Sequence, residues 1–266
     1  MRRRGSQTQR RWALGPQGRR ELAALVRSAP LVALDYDGTL CAIRPRPELA
    51  LPTARTLALL ERVCRLFPTA IISGRAVADL AGRLGTARPD YLIGNHGLEP
   101  GPGLAEAARL IAAARKRLAP LLAGRPGIEL EDKRYSLSLH YRRAARPLER
   151  RRELVRLAAR HAPALRRVEG KRVLNLVPPG GDKGRALRGL LGLSARRRGL
   201  YVGDDLTDED AFRLPALRVM SVRVGPAHAS AARWYLRRRA EVDALLAELV
   251  RLKGASGRET TPSRIV

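Results

Sequence analysis

Residues 31–40 read Leu31-Val32-Ala33-Leu34-Asp35-Tyr36-Asp37-Gly38-Thr39-Leu40. Four consecutive apolar residues stop abruptly at two carboxylates, and a Gly-Thr turn follows. A short apolar run bounded by a turn signal reads as a strand covered on both faces, which is the habit of parallel sheets. Period-two geometry sets Asp35 and Asp37 on the same side of the strand's C-terminal tip. Ligands bind at such tips in open α/β sheets. Two like charges at one tip repel, and a hard divalent cation such as Mg²⁺ relieves that repulsion by taking carboxylate oxygens as ligands. An Asp-Gly pair alone signals only a turn; the buried strand feeding it points to a site.

Working outward, strand and helix signals alternate. A helix is expected over Gln17–Ser28. Thr53–Leu66 has helical spacing at Leu57, Leu60, Val63 and Cys64. Thr69–Ile72 is a second strand and ends in Ser73-Gly74-Arg75. Tyr91–Ile93 is a third and ends in Gly94-Asn95-His96-Gly97. After the Pro100–Gly103 cluster the rhythm becomes helix (Ala105–Leu122), two strands (Ile128–Glu131, Ser136–Tyr141), helix (Pro147–His161) and two strands (Leu165–Val168, Arg172–Val177). A second Pro/Gly cluster, Pro178–Gly181, closes this unit. Asp182 caps a helix to about Leu191. Leu200–Gly203 is a strand ending in Asp204-Asp205, Thr207–Phe212 a short helix, Val219–Val224 a strand and Glu241–Leu252 the last helix. The expected fold is α/β: a Rossmann-like parallel-sheet core over residues 18–100 and 179–253, with an α+β cap inserted at 101–178. A disordered basic N-terminus over 1–17 and a flexible tail over 254–266 complete the division.

The chain has 266 residues, 45% of them hydrophobic, enough for one large domain or two small ones. No apolar run is long enough to cross a bilayer. The N-terminal Met1-Arg-Arg-Arg-Gly-Ser lacks the apolar core of a secretory signal. Two cysteines, Cys41 and Cys64, make no disulfide framework. A cytoplasmic, monomeric protein with no membrane partner is the expectation.

The formal net charge of +27 raises the possibility of a polyanion partner. Nearly all of that charge is arginine, a compositional bias. The arginines from Arg142 to Arg160 spread around their helix, and no aromatic residues interleave with them to stack bases. Nucleic acid is therefore not an expected partner. Where arginine dominates so strongly, a retained lysine marks a place that uses a compact ammonium. The only lysines are Lys116, Lys133, Lys171, Lys183 and Lys253, and three of them fall among the residues discussed next.

Asp35 and Asp37, Ser73, Lys183, and the Asp204-Asp205-Asp208 cluster all stand at strand tips or in a helix's first turn. Together they offer a nucleophile, metal ligands, a hydroxyl and a cation, which are the needs of phosphoryl transfer. In order along the chain, Asp35-Tyr-Asp37-Gly-Thr, Ser73-Gly-Arg, Lys183-Gly and Gly203-Asp-Asp-Leu-Thr-Asp208 resemble the four motifs of the haloacid dehalogenase superfamily of phosphatases. Gly94-Asn95-His96-Gly97-Leu98-Glu99, Glu131-Asp-Lys133, His140-Tyr-Arg142 and Gly170-Lys171-Arg-Val-Leu further resemble the trehalose-6-phosphate phosphatases.

That resemblance implies roles. Asp35 attacks phosphorus, and Asp37 protonates the leaving oxygen and then activates water. Mg²⁺ is held by Asp35, the main-chain carbonyl at Asp37, and Asp204. Asp205 and Asp208 stand behind the ion, Ser73 donates to phosphate, and Lys183 steadies Asp35. Arg75, Asn95, His96, Glu131, Lys133, His140, Arg142, Lys171 and Asn175 are the candidate contacts to trehalose 6-phosphate. Asn175 departs from the family, which usually carries glutamate there; an amide can donate where a carboxylate only accepts. The alternatives are a sucrose-phosphate or mannosyl-phosphoglycerate phosphatase of the same superfamily, an aspartyl-phosphate mutase, and a non-catalytic polyanion-binding protein.

Overall fold

The computed structural model describes residues 11–44, 46–226 and 229–256. Among the described residues, eleven strands fall into two sheets. Strands β1 (Arg11–Trp12), β2 (Leu31–Leu34), β3 (Thr69–Ile72), β4 (Tyr91–Ile93), β9 (Gly199–Gly203), β10 (Val219–Val224) and β11 (Trp234–Leu236) form a seven-stranded sheet in the order β1-β11-β10-β9-β2-β3-β4. Every pairing in it is parallel. Strands β5 (Glu129–Asp132), β6 (Leu137–His140), β7 (Arg166–Gly170) and β8 (Val173–Val177) form an antiparallel sheet in the order β5-β6-β8-β7.

The period-two pattern decides how the large sheet is covered. Val32 and Leu34 of β2 pack on one face with Ile71, Leu200, Val202 and Val222. Helices α1 (Pro16–Arg27), α2 (Ala54–Leu66) and α8 (Ala240–Ser256) cover that face with Leu22, Leu60 and Leu246. Leu31 and Ala33 face the other way, with Ala70, Ile72 and Tyr201, under Leu187 and Leu191 of α6 (Lys183–Leu193) and Phe212 of α7 (Glu209–Phe212). The remaining core helix, α3 (Val77–Ala81), follows β3. In the small sheet, α4 (Leu104–Leu122) and α5 (Pro147–His161) pack Leu118 and Leu154 against Leu137, Leu139 and Leu174. Burial of such side chains is worth about 1.5–3 kcal/mol each against exposure.

From β2 the chain steps outward to β3 and β4, then returns on the other side of β2 as β9. The gap between the tips of β2 and β9 is thus the switch point where open α/β sheets bind ligands. Leu34 pairs with Val202, and the Asp35 N–H donates to the Val202 carbonyl at 2.9 Å. Asp35 and Asp204 leave adjacent strands at one level.

Two sequence expectations change. Residues 1–10 of the expected N-terminal disorder lie outside the described residues, whereas Arg11–Trp12 form β1 and Pro16 starts α1. Trp12 is the reason: its indole donates to Glu241 at 3.0 Å, and the Arg237 guanidinium lies 4.1 Å from its ring centre. At the other end α8 continues through residues 254–256, and 257–266 lie outside the described residues. No described helix is long and apolar enough to cross a membrane.

Candidate active site

The chain turns sharply where β2 ends. The N–H groups of Thr39, Leu40 and Cys41 converge on the Tyr36 carbonyl, and Gly38 takes the left-handed region (φ +83°). A Cβ on Gly38 would lie 2.1 Å from Asp204 Oδ2, so only glycine lets the two strand tips meet. The turn also ends the period-two relation between the paired acids. The Asp35 side chain enters the junction with β9, while Asp37 turns to Arg75.

Asp35, Asp204 and Asp208 are 4%, 1% and 0% exposed, and each offers a carboxylate oxygen within 4.8 Å of the others. Lys183, in the first turn of α6 after the Asp182 cap, sends Nζ 2.7 Å to both Asp35 Oδ1 and Asp208 Oδ1. Burial disfavours the Lys183 ammonium, but the facing Asp208 and Asp35 outweigh it and hold it charged. Burial raises the Asp35 carboxyl well above its ordinary value, opposed by Lys183 and reinforced by Asp208 and Asp204. Burial likewise pushes Asp204 up to about 7, opposed by the Lys171 ammonium. Clustered acids this far above their usual range are a mark of functional sites.

Hydrogen-bond accounting separates the three. Asp208 Oδ1 accepts from Lys183 Nζ and from the Tyr201 hydroxyl (2.8 Å), and Oδ2 accepts from the Asp204 and Asp205 N–H groups (2.8 and 2.9 Å). Its acceptor capacity is spent. Asp204 Oδ1, by contrast, is buried with no partner among the described residues. An orphaned buried carboxylate oxygen is costly unless a cation takes it up. The residues therefore fit a divalent cation held between Asp35 and Asp204, with Asp208 fixing the loop behind. The Asp37 carboxylate is outside the cluster.

Arg75 is nearly buried, and its guanidinium is committed. It meets both Asp37 oxygens (2.6 and 2.8 Å), Asp79 (2.7 Å) and the Pro47 carbonyl (2.8 Å). Arg75, an expected substrate contact, lines the cavity and braces Asp37. Asn95, another expected contact, lies deeper. It is fully buried, its Oδ1 accepts from Ser136 Oγ (2.6 Å), its Nδ2 donates to Glu99 (2.9 Å), and it lines no part of the cavity. It joins the loop after β4 to the β5–β6 turn.

One cavity of about 110 Å³ lies between the two sheets' units. Of the sixteen residues singled out in the sequence, all but Asn95 and Asp208 line it. Ser73 is buried at its floor, with Oγ accepting from the Arg75 N–H (3.2 Å) and its proton left to give. His96 sits in the left-handed region (φ 59°), is 4% exposed, and neither ring nitrogen has a partner among the described residues. Burial, then Lys133 and Lys183, hold it well below its ordinary pKa as neutral imidazole. Glu131 accepts from His140 Nε2 (2.7 Å) with Lys133 Nζ at 3.4 Å. Burial opposes the Glu131 charge, but these partners win and bring it to about 2. Lys171 reaches from its turn to Asp204, and Arg142 donates to the Lys171 carbonyl (3.2 Å) and to that of Arg44. Asn175 Oδ1 accepts from Ser138 Oγ (2.7 Å), its cross-strand partner, so Nδ2 is the end left for the cavity.

Three contributors escaped the sequence reading: Tyr201, Ser138 and Arg44. Tyr201 offered a faint signal, a phenol in an apolar strand that needs a buried acceptor.

A buried aspartate at the tip of the central strand, a lysine bridging it to an acidic loop, and a second unit over the cleft define the haloacid dehalogenase class of phosphatase folds. Within that class the chain belongs to the trehalose-phosphatase family, whose model matches residues 33–236. It is 36% identical over 198 residues to a trehalose-phosphate phosphatase of Mycobacterium ulcerans (strain Agy99), covering 69% of this chain and 50% of that protein. The Mycobacterium avium (strain 104) counterpart is 39% identical over 202 residues with the same coverage. The chain thus spans about half the length of these curated relatives. Among solved structures, the C-terminal domain of C. albicans trehalose-6-phosphate phosphatase superposes with a TM-score of 0.69 at 22% identity, covering 89% of this chain and 96% of that one.

Proposed function

We propose that this protein is a Mg²⁺-dependent phosphatase that hydrolyses trehalose 6-phosphate to trehalose and inorganic phosphate, in trehalose biosynthesis. The observation that carries the reading is the pairing of Asp35, held by Lys183 at 2.7 Å, with the unpartnered Asp204 oxygen beneath a polar cavity. Family membership supplies the substrate class.

In this reading an Asp35 oxygen forms a bond to phosphorus as the bond from phosphorus to the sugar oxygen breaks. The sugar oxygen takes its proton from Asp37. Water then attacks, giving its proton to Asp37, and the phosphorus–Asp35 bond breaks to release phosphate. Arg75 holds both Asp37 oxygens, so Asp37 reaches the sugar oxygen and the water only as that pair loosens. Mg²⁺, when bound at Asp35 and Asp204, neutralises phosphoryl oxygens. Ser73 donates to one of those oxygens, and Lys183 keeps Asp35 in place. Residues 101–178 act as a cap whose Glu131, Lys133, His140, Arg142, Lys171 and Asn175, with His96 of the core, replace the water around the sugar hydroxyls. Arg75 braces Asp37 from the cavity wall, and Asn95 supports the site from behind. Both cysteines are free thiols, which suits a cytoplasmic protein.

The deciding experiment is phosphate release from trehalose 6-phosphate, with and without Mg²⁺, against sucrose 6-phosphate and glucose 6-phosphate. Preference for trehalose 6-phosphate that depends on Mg²⁺ supports the reading. Equal rates on all three, or undiminished release in excess chelator, overturn it.

A further inference from the structure

Arginine 223 is out of place in its surroundings. Strand β10 reads Val219-Met-Ser-Val-Arg-Val224 and is buried at every position. Arg223 is 5% exposed there and pairs in register with Gly203, the residue before Asp204. A buried guanidinium must have its donors answered. Nη2 donates to the Asp204 carbonyl at 2.8 Å, and Nη1 donates to Glu209 Oε1 at 3.0 Å and, more weakly, to the Asp205 carbonyl at 3.4 Å. Nε has no partner. Glu209, 6% exposed at the start of α7, is itself held, because its Oε2 accepts from the Ala231 N–H at 2.8 Å.

The two-residue loop Asp204-Asp205 is therefore gripped on all four of its main-chain groups. The Asp208 carboxylate accepts from both N–H groups, and Arg223 donates to both carbonyls, that of Asp205 accepting also from the Asp208 N–H at 3.2 Å. Neither Arg223 nor Glu209 lines the cavity, so the pair touches no substrate. Their opposite charges cancel inside the protein, so the pair adds no net charge to the cleft. What it can do is set the position of the Asp204 backbone, and with it the direction of a carboxylate whose Oδ1 is buried without a partner among the described residues.

We propose that Arg223, braced by Glu209, is a positioning residue for the divalent cation: it fixes the Asp204 main chain and so sets the metal affinity of the cleft. The inference rests on the reading that Asp204 is a metal ligand. Supporting groups behind metal ligands change affinity about ten- to a hundredfold when removed, and that is the size expected here.

The test uses Mn²⁺ as probe, titrated into the full chain and read from the free-ion electron paramagnetic resonance signal. The chains compared are the wild type, Arg223→Lys, Arg223→Met, Glu209→Gln and, as control, Arg188→Gln at an exposed position. Arg223→Met and Glu209→Gln should weaken Mn²⁺ binding about ten- to a hundredfold. Arg223→Lys, which keeps the charge but loses the fork, should fall between them and the wild type. In phosphate release, the half-saturating metal concentration should rise in parallel while kcat at saturating metal stays within a few-fold of wild type. A purely structural role predicts the reverse, with lower kcat or folded fraction and unchanged half-saturation. If Arg223→Met does not fold, Arg223→Lys and Glu209→Gln decide. Mn²⁺ affinities in these variants equal to that of Arg188→Gln overturn the inference. Failure of the wild type to bind Mn²⁺ overturns instead the metal reading on which it stands.

Discussion

Lys183→Met is the perturbation that most directly tests the electrostatic design of the cleft. The ammonium is 2% exposed and touches two carboxylates, Asp35 and Asp208, at 2.7 Å each. Methionine keeps most of the stem and removes the charge, leaving two buried acids without their shared cation. Breaking a buried pair on one side costs about 3–5 kcal/mol, a large part of the roughly 5–15 kcal/mol that holds a typical domain folded. With a urea slope of about 1–3 kcal/mol per molar, the midpoint should fall by more than about 1 M. A double-mutant cycle with Asp208→Asn separates the pair from general damage. Asp208→Asn is itself destabilising, since an amide turns a donor toward groups that now donate to the carboxylate. Once Lys183 has gone, however, neutralising Asp208 removes one unpaired charge, so the double variant should lose less than the sum by about 1–3 kcal/mol. Equilibrium urea unfolding of the four chains, with near-ultraviolet circular dichroism to confirm packing, gives all the terms. A loss below about 1 kcal/mol in Lys183→Met, or additivity within about 0.5 kcal/mol, would refute the claim that Lys183 compensates the cluster.

Asp35→Asn should abolish phosphate release and leave the melting temperature within a few degrees of wild type, because burial already opposes the charge it removes; undiminished turnover ends the assignment of Asp35 as nucleophile. Lys133→Ala and Lys171→Ala each delete a charged donor lining the cavity, worth about 1.5–3 kcal/mol, so KM for trehalose 6-phosphate should rise tenfold or more; unchanged KM in both rules out sugar recognition by these lysines. His96 carries the pH prediction. Its folded pKa lies well below the unfolded value of 6.5, so below about pH 6.5 the unfolded chain binds the extra proton. Stability is then lost as pH falls, by up to about 1.4 kcal/mol per pH unit. His96→Gln should remove that part of the slope between pH 6.5 and 5.5 in urea midpoints, and an unaltered slope contradicts the neutral, buried imidazole.

How far the sequence carried the fold depends on where the structural signal was stored. Strands β2, β3, β4 and β10 have the extents expected from the residues alone, because each is an apolar run cut off by a turn residue or a charge. The start of α6 was equally local: the Asp182 carboxylate accepts from the Arg185 N–H at 2.8 Å. Strands β1 and β11 were not visible. They hold two and three residues, too few for any alternation, and exist because Arg11 and Trp12 pair with Trp234 and Tyr235 across more than 200 residues. Arginine-rich composition argued for disorder at that end. One tryptophan with an indole acceptor and a stacked guanidinium outweighs the composition, because it supplies burial that arginines cannot.

The site shows the same division more sharply. Every acid of the cluster could be read from its place at a strand tip, since tip position follows from local pattern. What each acid does there could not, because that depends on which donors arrive from elsewhere in the chain. Period two placed Asp37 beside Asp35, but it holds only while the chain stays extended. The turn on the Tyr36 carbonyl ends the strand two residues too early, and Arg75, from the loop after β3, then captures Asp37. Asp208, expected behind the ion, owes that place to four hydrogen bonds that only the fold supplies, and Arg75, on the cavity wall, is tied to Asp37 in the same way. Arg223 is the instructive case. An arginine inside Val-Met-Ser-Val-Arg-Val has no business in a strand buried on both faces unless a carboxylate or carbonyls meet it there. That demand is legible in one line of sequence, whereas the answer, Glu209 and the carbonyls of the Asp204 loop, comes only from laying β10 beside β9.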